Sequence, residues 1–179
     1  MRTEFRLSGS GGQGLLLAGI VLAEAAILED KNAVQTQSYG PEARGGASKA
    51  EVVISDVDID YPKATDPDFL LALTPESYKT YGALMNKGLI IVDESVILSD
   101  EITARTVRVP ILKTASEDLG KKVVANIVAL GALAGISGIV GEKTLELAVR
   151  HRVPKGTEDL NLSALRRGFE LAETAKASL

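Results

Sequence analysis

Gly9, Gly11 and Gly14 stand at the spacing G-x-G-x-x-G within RLSGSGGQGLLLAG, with Gly12 and Gln13 between them. Without side chains a backbone can come close to an anion, and the free N–H groups and dipole at a helix N-terminus favour negative charge there. The chemistry this spacing offers is the binding of a phosphate or a carboxylate, which makes Gly9, Gly11, Gly12, Gln13 and Gly14 the candidate cofactor-binding residues. The same turn also serves a plainer purpose, packing a first helix tightly on its strand and binding nothing. Gln13 sharpens the choice, because an amide at a helix entry either orients a ligand or a neighbouring subunit, or caps the turn itself. A dehydrogenase would need an acid at the end of the second strand to hold the ribose hydroxyls. Here that strand ends in Thr36 and Gln37, and the nearest acids, Glu29 and Asp30, fall at the end of the preceding helix, so the pattern weighs against NAD.

A second stretch, SYGPEARGGAS from Ser38 to Ser48, offers different chemistry. The Arg44 guanidinium presents a fixed fork of donors to a carboxylate or phosphate, with Tyr39 nearby. On the plainer reading, Pro41 stiffens a surface loop, Gly45 and Gly46 supply positive φ, and Glu42 pairs with Arg44 at little gain. Tyr39, Gly40, Glu42, Arg44, Gly45 and Gly46 are thus the candidate substrate or subunit-interface loop. No catalytic residue stands out. The chain has no cysteine, and so no disulfide, thiolate nucleophile or cysteine-held cluster. Its one histidine, His151, lies between Arg150 and Arg152 without a second imidazole for a zinc site. We assign it to a solvated helix end and expect no metal.

The elements that must hold these stretches alternate between strand and helix. Strands are expected at Glu4 to Leu7, Asn32 to Gln37, Ala50 to Ser55, Asp68 to Leu73, Leu89 to Asp93 and Thr106 to Pro110. Leu15 to Leu28 forms the first helix. Thr74 caps a second, Pro75 takes its first position, and Gly88 follows its end. The C-terminal third is helical: Ser116, Glu117 and Asp118 open a buried helix, Gly135, Ser137 and Gly138 close it, Glu142 to Arg150 form a short helix, and Asn161 caps the last. In that last helix Leu162, Leu165, Phe169 and Ala172 make one core-facing stripe. The pattern predicts an α/β, Rossmann-like open and mostly parallel sheet flanked by helices, with a helical C-terminal third. One domain is expected over residues 1–179.

Twenty Lys and Arg against 24 Asp and Glu give a net charge of −4 with no basic stripe, which argues against a nucleic-acid partner. Leu15 to Leu28 resembles an export signal, but Glu4, Glu24 and the glycine turn spoil that pattern. The uncharged run Val123 to Val140 reaches the shortest length of a membrane span, but it is broken by GISG and rich in alanine, as a buried helix would be. No membrane partner and a cytoplasmic location are expected.

GSGGQGLLLAG, TQSYGPEARGGASKAEVVIS with DIDYP, NIVALGAL and LNLSALRRGFELA together resemble, in order and over nearly the whole chain, the gamma subunit of 2-oxoacid:ferredoxin oxidoreductases, the pyruvate/ketoisovalerate oxidoreductase gamma domain family. The SYGPEARGGAS form is most like the 2-oxoglutarate type and the related 2-oxoisovalerate enzymes. The resemblance implies one subunit of a complex of anaerobic metabolism, inactive alone. In that complex a thiamine-bound 2-oxoacid loses carbon dioxide, coenzyme A takes the acyl group, and electrons pass through iron–sulfur clusters to ferredoxin. Thiamine diphosphate, Mg2+ and the clusters would sit on partner subunits, which agrees with the absence of cysteine here. The family's glycine turn and second loop map onto the two residue sets above, implying that both face partner subunits near the reaction site with a possible coenzyme A contact, Arg44 being the first choice to touch an anion. Asn126 matches the family's helical motif, where its amide is expected to satisfy backbone groups. Ile127 stands where relatives often carry methionine. An independent nucleotide-binding enzyme and a purely structural subunit are the alternatives.

Overall fold

A computed structural model describes residues 1–38 and 47–179. Six strands, β1 (Arg2–Gly9), β2 (Asn32–Gln37), β3 (Ser48–Ser55), β4 (Phe69–Ala72), β5 (Leu89–Asp93) and β6 (Arg105–Val109), form one sheet in the order β2-β3-β1-β4-β5-β6. β1, β4, β5 and β6 run parallel, while β3 is antiparallel to both β1 and β2. The expected α/β, mostly parallel sheet is therefore present, with one reversed strand inserted beside the centre.

The sheet's faces follow from the two-residue period of β1. Phe5 and Leu7 point to a core shared with α1 (Leu15–Leu28), where Phe5 stacks on Phe69 at 5.3 Å. Glu4, Arg6 and Ser8 point the other way and are also buried. On that second face α2 (Pro75–Gly82) packs Tyr78 and Tyr81 over Leu70, Ala72, Ile90 and Val92. Among the described residues no helix lies along the β1–β3 part of this face, although Tyr81 of α2 reaches Arg6 and Lys49 there. Instead, the connection between β3 and β4 is strapped down by charged groups. Arg6 donates to the Ala64 carbonyl at 2.9 Å and pairs with Glu51 at 2.8 Å, and Glu51 accepts from the Ala64 N–H. Lys49 adds a second cation to Glu51 at 3.4 Å, and Arg6 lies over the Tyr81 ring at 5.4 Å. Buried charges persist only when paired in this way.

Thr74 and Ser77 form a reciprocal capping box at the start of α2, with Pro75 in the first turn as expected. The helix stops at Gly82, however, and Gly88 instead precedes β5, where its positive φ and the Asp68 carbonyl against it admit no side chain. The other helices stack on the first face: α3 (Ile111–Lys113), α4 (Ala125–Ser137), α5 (Glu142–Arg152) and α6 (Glu158–Lys176). Ser116, Glu117 and Asp118 do not open α4. They belong to a π turn continuing α3, a wider coil whose Leu119 N–H reaches back to the Thr114 carbonyl. Asn161 does not cap α6 either, for it lies inside the first turns and donates to the Thr157 carbonyl at 2.9 Å. Gly138 closes α4 with φ 65. Where α4 crosses α6 the backbones touch: a Cβ on Gly168 would lie 2.2 Å from the Val128 carbonyl oxygen, and one on Gly131 2.3 Å from that of Leu165. No helix among the described residues is long and apolar enough to cross a membrane.

Two carboxylates tie α1 to the C-terminal helices. Glu24 meets His151 Nδ1 at 2.7 Å and Arg152, while Glu29 accepts from the Gly141 N–H at 2.7 Å and from Lys31 at 2.9 Å. Burial works against charge at both sites. The hydrogen bonds from Arg152 and His151 at Glu24, and from Gly141 and Lys31 at Glu29, outweigh it and hold both carboxyls below the ordinary value of 4.5. Groups lowered on folding stabilise the fold above their unfolded pKa, and that contribution is lost as pH falls through the folded one. Glu24→Gln with Glu29→Gln is therefore expected to be less stable than wild type at pH 7, with the gap closing below pH 4.5. Urea midpoints across pH check this, and a gap independent of pH would contradict it.

Candidate functional site

The glycine turn connects the end of β1 to α1, and its own side chains build it. Gln13 does cap it: Oε1 accepts the Ser10 N–H at 2.7 Å, while the Gln13 N–H returns to the Ser10 carbonyl. A Cβ on Gly9 would fall 2.2 Å from that Oε1, so the amide occupies the space a side chain would need. Gly14 has φ 73, and a Cβ there would meet Asn126 Nδ2 at 2.6 Å. Asn126, in the first turn of α4, donates to the Gly14 carbonyl at 3.1 Å and accepts the Ile127 N–H at 3.0 Å. As expected its amide satisfies backbone groups, and one of them belongs to the glycine turn. Gly11 differs from its neighbours, because a Cβ there meets nothing within 4 Å and the backbone is not left-handed. Nothing in the described fold demands glycine at Gly11.

Tyr39, Gly40, Glu42, Arg44, Gly45 and Gly46 lie outside the described residues. The residues on either side of them are fixed. Gly9 pairs with Ser48, Ser8 Oγ donates to the Ser48 carbonyl at 2.9 Å, Ser48 Oγ donates to the Gly9 carbonyl, and the Ser38 N–H donates to Lys49. The glycine turn and the flanks of the second stretch therefore leave the same edge of the sheet, where β1, β4 and β5 also end. Ligands of open α/β sheets characteristically bind at such an edge.

Asp93, at the end of β5, is buried to 1% exposure and builds the next part of this edge. Its Oδ2 accepts the Leu112 N–H at 2.8 Å, and its Oδ1 accepts from Ser95, so α3 and its Lys113 are held in place. A cleft of about 630 Å³ runs between the glycine turn and this element, lined by Gly12, Gln13, Lys113, Ser116, Lys122 and Val123 among others. A smaller one of about 270 Å³ lies on the other side of Gly12 and Val123 against Leu17, Val153, Pro154 and Leu160. Neither Lys113 nor Lys122 was legible as a site residue, since the only sequence signal is a lysine after the last strand and another beside the buried helix.

His151 is a helix-end residue pinned to Glu24, away from the glycine turn. The dinucleotide reading meets a topological obstacle as well as a missing acid: β3 stands between β1 and β2, so the end of β2 is not beside the turn. Glu29 is engaged by Gly141 and Lys31.

A family model described as pyruvate ferredoxin/flavodoxin oxidoreductase matches residues 4–171. The chain is 49% identical to a 2-oxoglutarate synthase subunit, KorC, of Methanocaldococcus jannaschii, covering 97% of this chain and 95% of that one. It is also similar to the crystal structure of a keto/oxoacid ferredoxin oxidoreductase gamma subunit from Geobacter sulfurreducens, with TM-score 0.89, 47% identity and 98% of both chains covered. A 2-oxoglutarate:ferredoxin oxidoreductase from Magnetococcus marinus shares the fold at TM-score 0.85 and 23% identity, with the match covering 97% of this chain and 31% of that longer one.

Proposed function

The chain belongs to the pyruvate ferredoxin/flavodoxin oxidoreductase family, and from that premise we propose that it is the gamma-type subunit of a cytoplasmic 2-oxoglutarate:ferredoxin oxidoreductase. The complex would convert 2-oxoglutarate and coenzyme A to succinyl-CoA and carbon dioxide while reducing ferredoxin, or run the reverse. The near full-length identity to a 2-oxoglutarate synthase subunit carries this reading. Residues 1–179 act as a single domain that is inactive alone. Thiamine diphosphate, Mg2+ and iron–sulfur clusters are assigned to partner subunits. This chain has no cysteine to ligate a cluster, and among the described residues no three His, Asp or Glu side chains converge to hold a metal.

This chain's own contribution is to present one edge to the partners and to the anionic thiol substrate. The pairing of Gly9 with Ser48 supports that reading, since it brings the glycine turn beside the flanks of the segment carrying Arg44. Arg44 supplies a permanent positive charge to a phosphate or carboxylate. Gly9, Gly11, Gly12, Gln13 and Gly14 shape a backbone surface that a ligand or partner can approach closely. Tyr39, Gly40, Glu42, Gly45 and Gly46 are the other residues of that stretch assigned to substrate or subunit contact.

The test is anaerobic affinity purification of the complex from native cells, with coenzyme-A-dependent ferredoxin reduction assayed on several 2-oxoacids. Recovery of a thiamine-binding subunit with preference for 2-oxoglutarate is the expected result. Recovery of the chain alone, able to bind a nucleotide, would return the glycine turn to an independent enzyme. In the purified complex, Arg44→Ala is expected to leave assembly intact and raise the KM for coenzyme A about tenfold or more, the scale of one charge-assisted hydrogen bond. An unchanged KM would mean that Arg44 does not contact the thiol substrate.

A further inference from the structure

β2 ends the sheet on one side and β6 on the other, and the two edges are built differently. β6 carries Arg105 and Arg108, both exposed, and charge along an edge strand discourages another strand from adding to it. β2 reads NAVQTQ, six residues with neither charge nor proline, and among the described residues no strand pairs with its outer side. Its outward N–H and C=O groups are a template for one more strand.

The helix above that edge is bare in the same direction. α1 reads LLLAGIVLAEAAIL, with Glu24 its one charged residue, and a helix apolar on every side is ordinarily buried on every side. Leu16, Ile20, Ala23 and Ile27 recur at four, three and four residues, on the flank opposite the fully buried Ala18 and Ala25. Leu16 is 38% exposed and Ile27 56%. Gly19 borders this stripe and seats the helix on Gln35 of β2 and on Ala50 and Val52 of β3, so the stripe lies on the β2 side of α1. At about 3.3 Å per strand residue and 1.5 Å per helix residue, β2 and α1 are each roughly 20 Å long, which makes edge and stripe one continuous face. Glu24 is engaged by His151 and Arg152, so β2 and the stripe present no uncompensated charge.

We propose that this face binds a second copy of the chain about a two-fold axis, with β2 antiparallel to the β2 of that copy and the two α1 stripes in contact above the joined sheet. A two-fold contact uses the same patch on both sides, so the patch must complement itself. This one does: strand edge meets strand edge, apolar stripe meets apolar stripe, and no charge meets its like. Charge decides between a copy and another partner. Two chains of net charge −4 repel each other across most pairs of surfaces but not across this neutral one, whereas a partner recruited by charge finds no counterpart along it. Side chains directly opposite in antiparallel strands share a face, so with the strands fully overlapped the axis passes through Val34 or Gln35.

The chain has no cysteine, so a single introduced one reports the contact without background. Val34→Cys and Gln35→Cys are made separately in the full chain and oxidised, with Val57→Cys, 65% exposed in the connection after β3, as the control for random collision. At least one of the two β2 variants is expected to form a disulfide-linked dimer, because the residue on the axis faces its own copy, and the control is expected to stay monomeric under the same oxidation. Sedimentation equilibrium of the unaltered chain is expected to give a dimer. Asn32→Lys with Ile27→Lys, both at exposed positions, brings like charges together across the axis and is expected to raise the dissociation constant at least about tenfold. If that variant folds poorly, the disulfide test, which adds no charge, still decides. A monomeric chain, a dimer indifferent to the two lysines, or no disulfide beyond that of the Val57→Cys control would overturn the proposal. A face protected only when other subunits are added would overturn it too, by assigning the edge to one of them. None of these outcomes bears on the 2-oxoacid activity, which is decided by the assay above.

Discussion

Replacing Glu51 with alanine is expected to lower stability by about 3–5 kcal/mol, the cost of leaving a buried charge without its partner. Arg6 is 8% exposed and Glu51 6%, and the two share the carbonyl and N–H of Ala64. With the carboxylate gone, the Arg6 guanidinium keeps one carbonyl and the face of Tyr81. Arg6→Met is the milder change, because Lys49 still neutralises Glu51. The double change Arg6→Met with Glu51→Leu is expected to recover most of the loss, since an apolar pair of similar volume removes the desolvation cost of both ions. Thermal unfolding measures this cycle, each 1 kcal/mol moving Tm by about 2–4 °C in a chain of this size. A Glu51→Ala variant within 1 kcal/mol of wild type, about the scale of a surface pair, would mean that the strap over this face is held by something other than its charges.

Gly168→Ala is expected to cost about 3 kcal/mol, at the upper end of ordinary overpacking. The added methyl meets the Val128 carbonyl oxygen, the Ala132 nitrogen and the Gly131 Cα, none of which can rotate away as a flexible side chain would. Relief requires α4 and α6 to separate, and their apolar surfaces fill much of the first-face core. Gly131→Ala strikes the same crossing from the other helix, so the two changes together should cost less than their sum. Gly11→Ala, where a methyl meets nothing, serves as the control that separates crowding from the loss of a glycine as such. Equal melting temperatures for Gly11→Ala and Gly168→Ala would show that the helix crossing yields without penalty.

The limits of α1 and β5 were legible because each is a largely apolar run bounded by polar residues or glycine. Thr74 and Pro75 marked the start of α2 through chemistry local to its first turn. Gly88 was assigned to the wrong neighbour because a glycine signals positive φ without saying which element it serves. Ser116 to Asp118 carry the residue types of a helix start, but the chain uses them in a π turn before α4, which begins with no side-chain cap. The reversal of β3 has no local signal, since a buried strand has the same composition in either direction. At the site, the Gln13 cap spans three residues and was foreseeable, whereas the Asn126 bond to Gly14 spans 112 and was not. Lys113 and Lys122 acquire meaning only when α3 is folded back against the glycine turn. The family resemblance implied, beyond local physics, that both signature stretches face one surface, and the described residues put the glycine turn and the flanks of the second stretch at one sheet edge.

The central position of β1 also has a consequence in time. It precedes the other five strands of its sheet along the chain, yet its partners β3 and β4 follow much later, with Glu4 and Asp68 separated by 64 residues. At roughly 5–20 residues per second of synthesis, Phe5 and Leu7 wait several seconds before either neighbouring strand is available. During that interval only α1 can shield them, so the nascent chain passes through a stage in which its most central strand has no sheet to join. Chaperone capture, if it occurs during synthesis, is therefore expected between emergence of β1 and emergence of β4, and ribosome-bound chains arrested before and after Ala72 would display the difference.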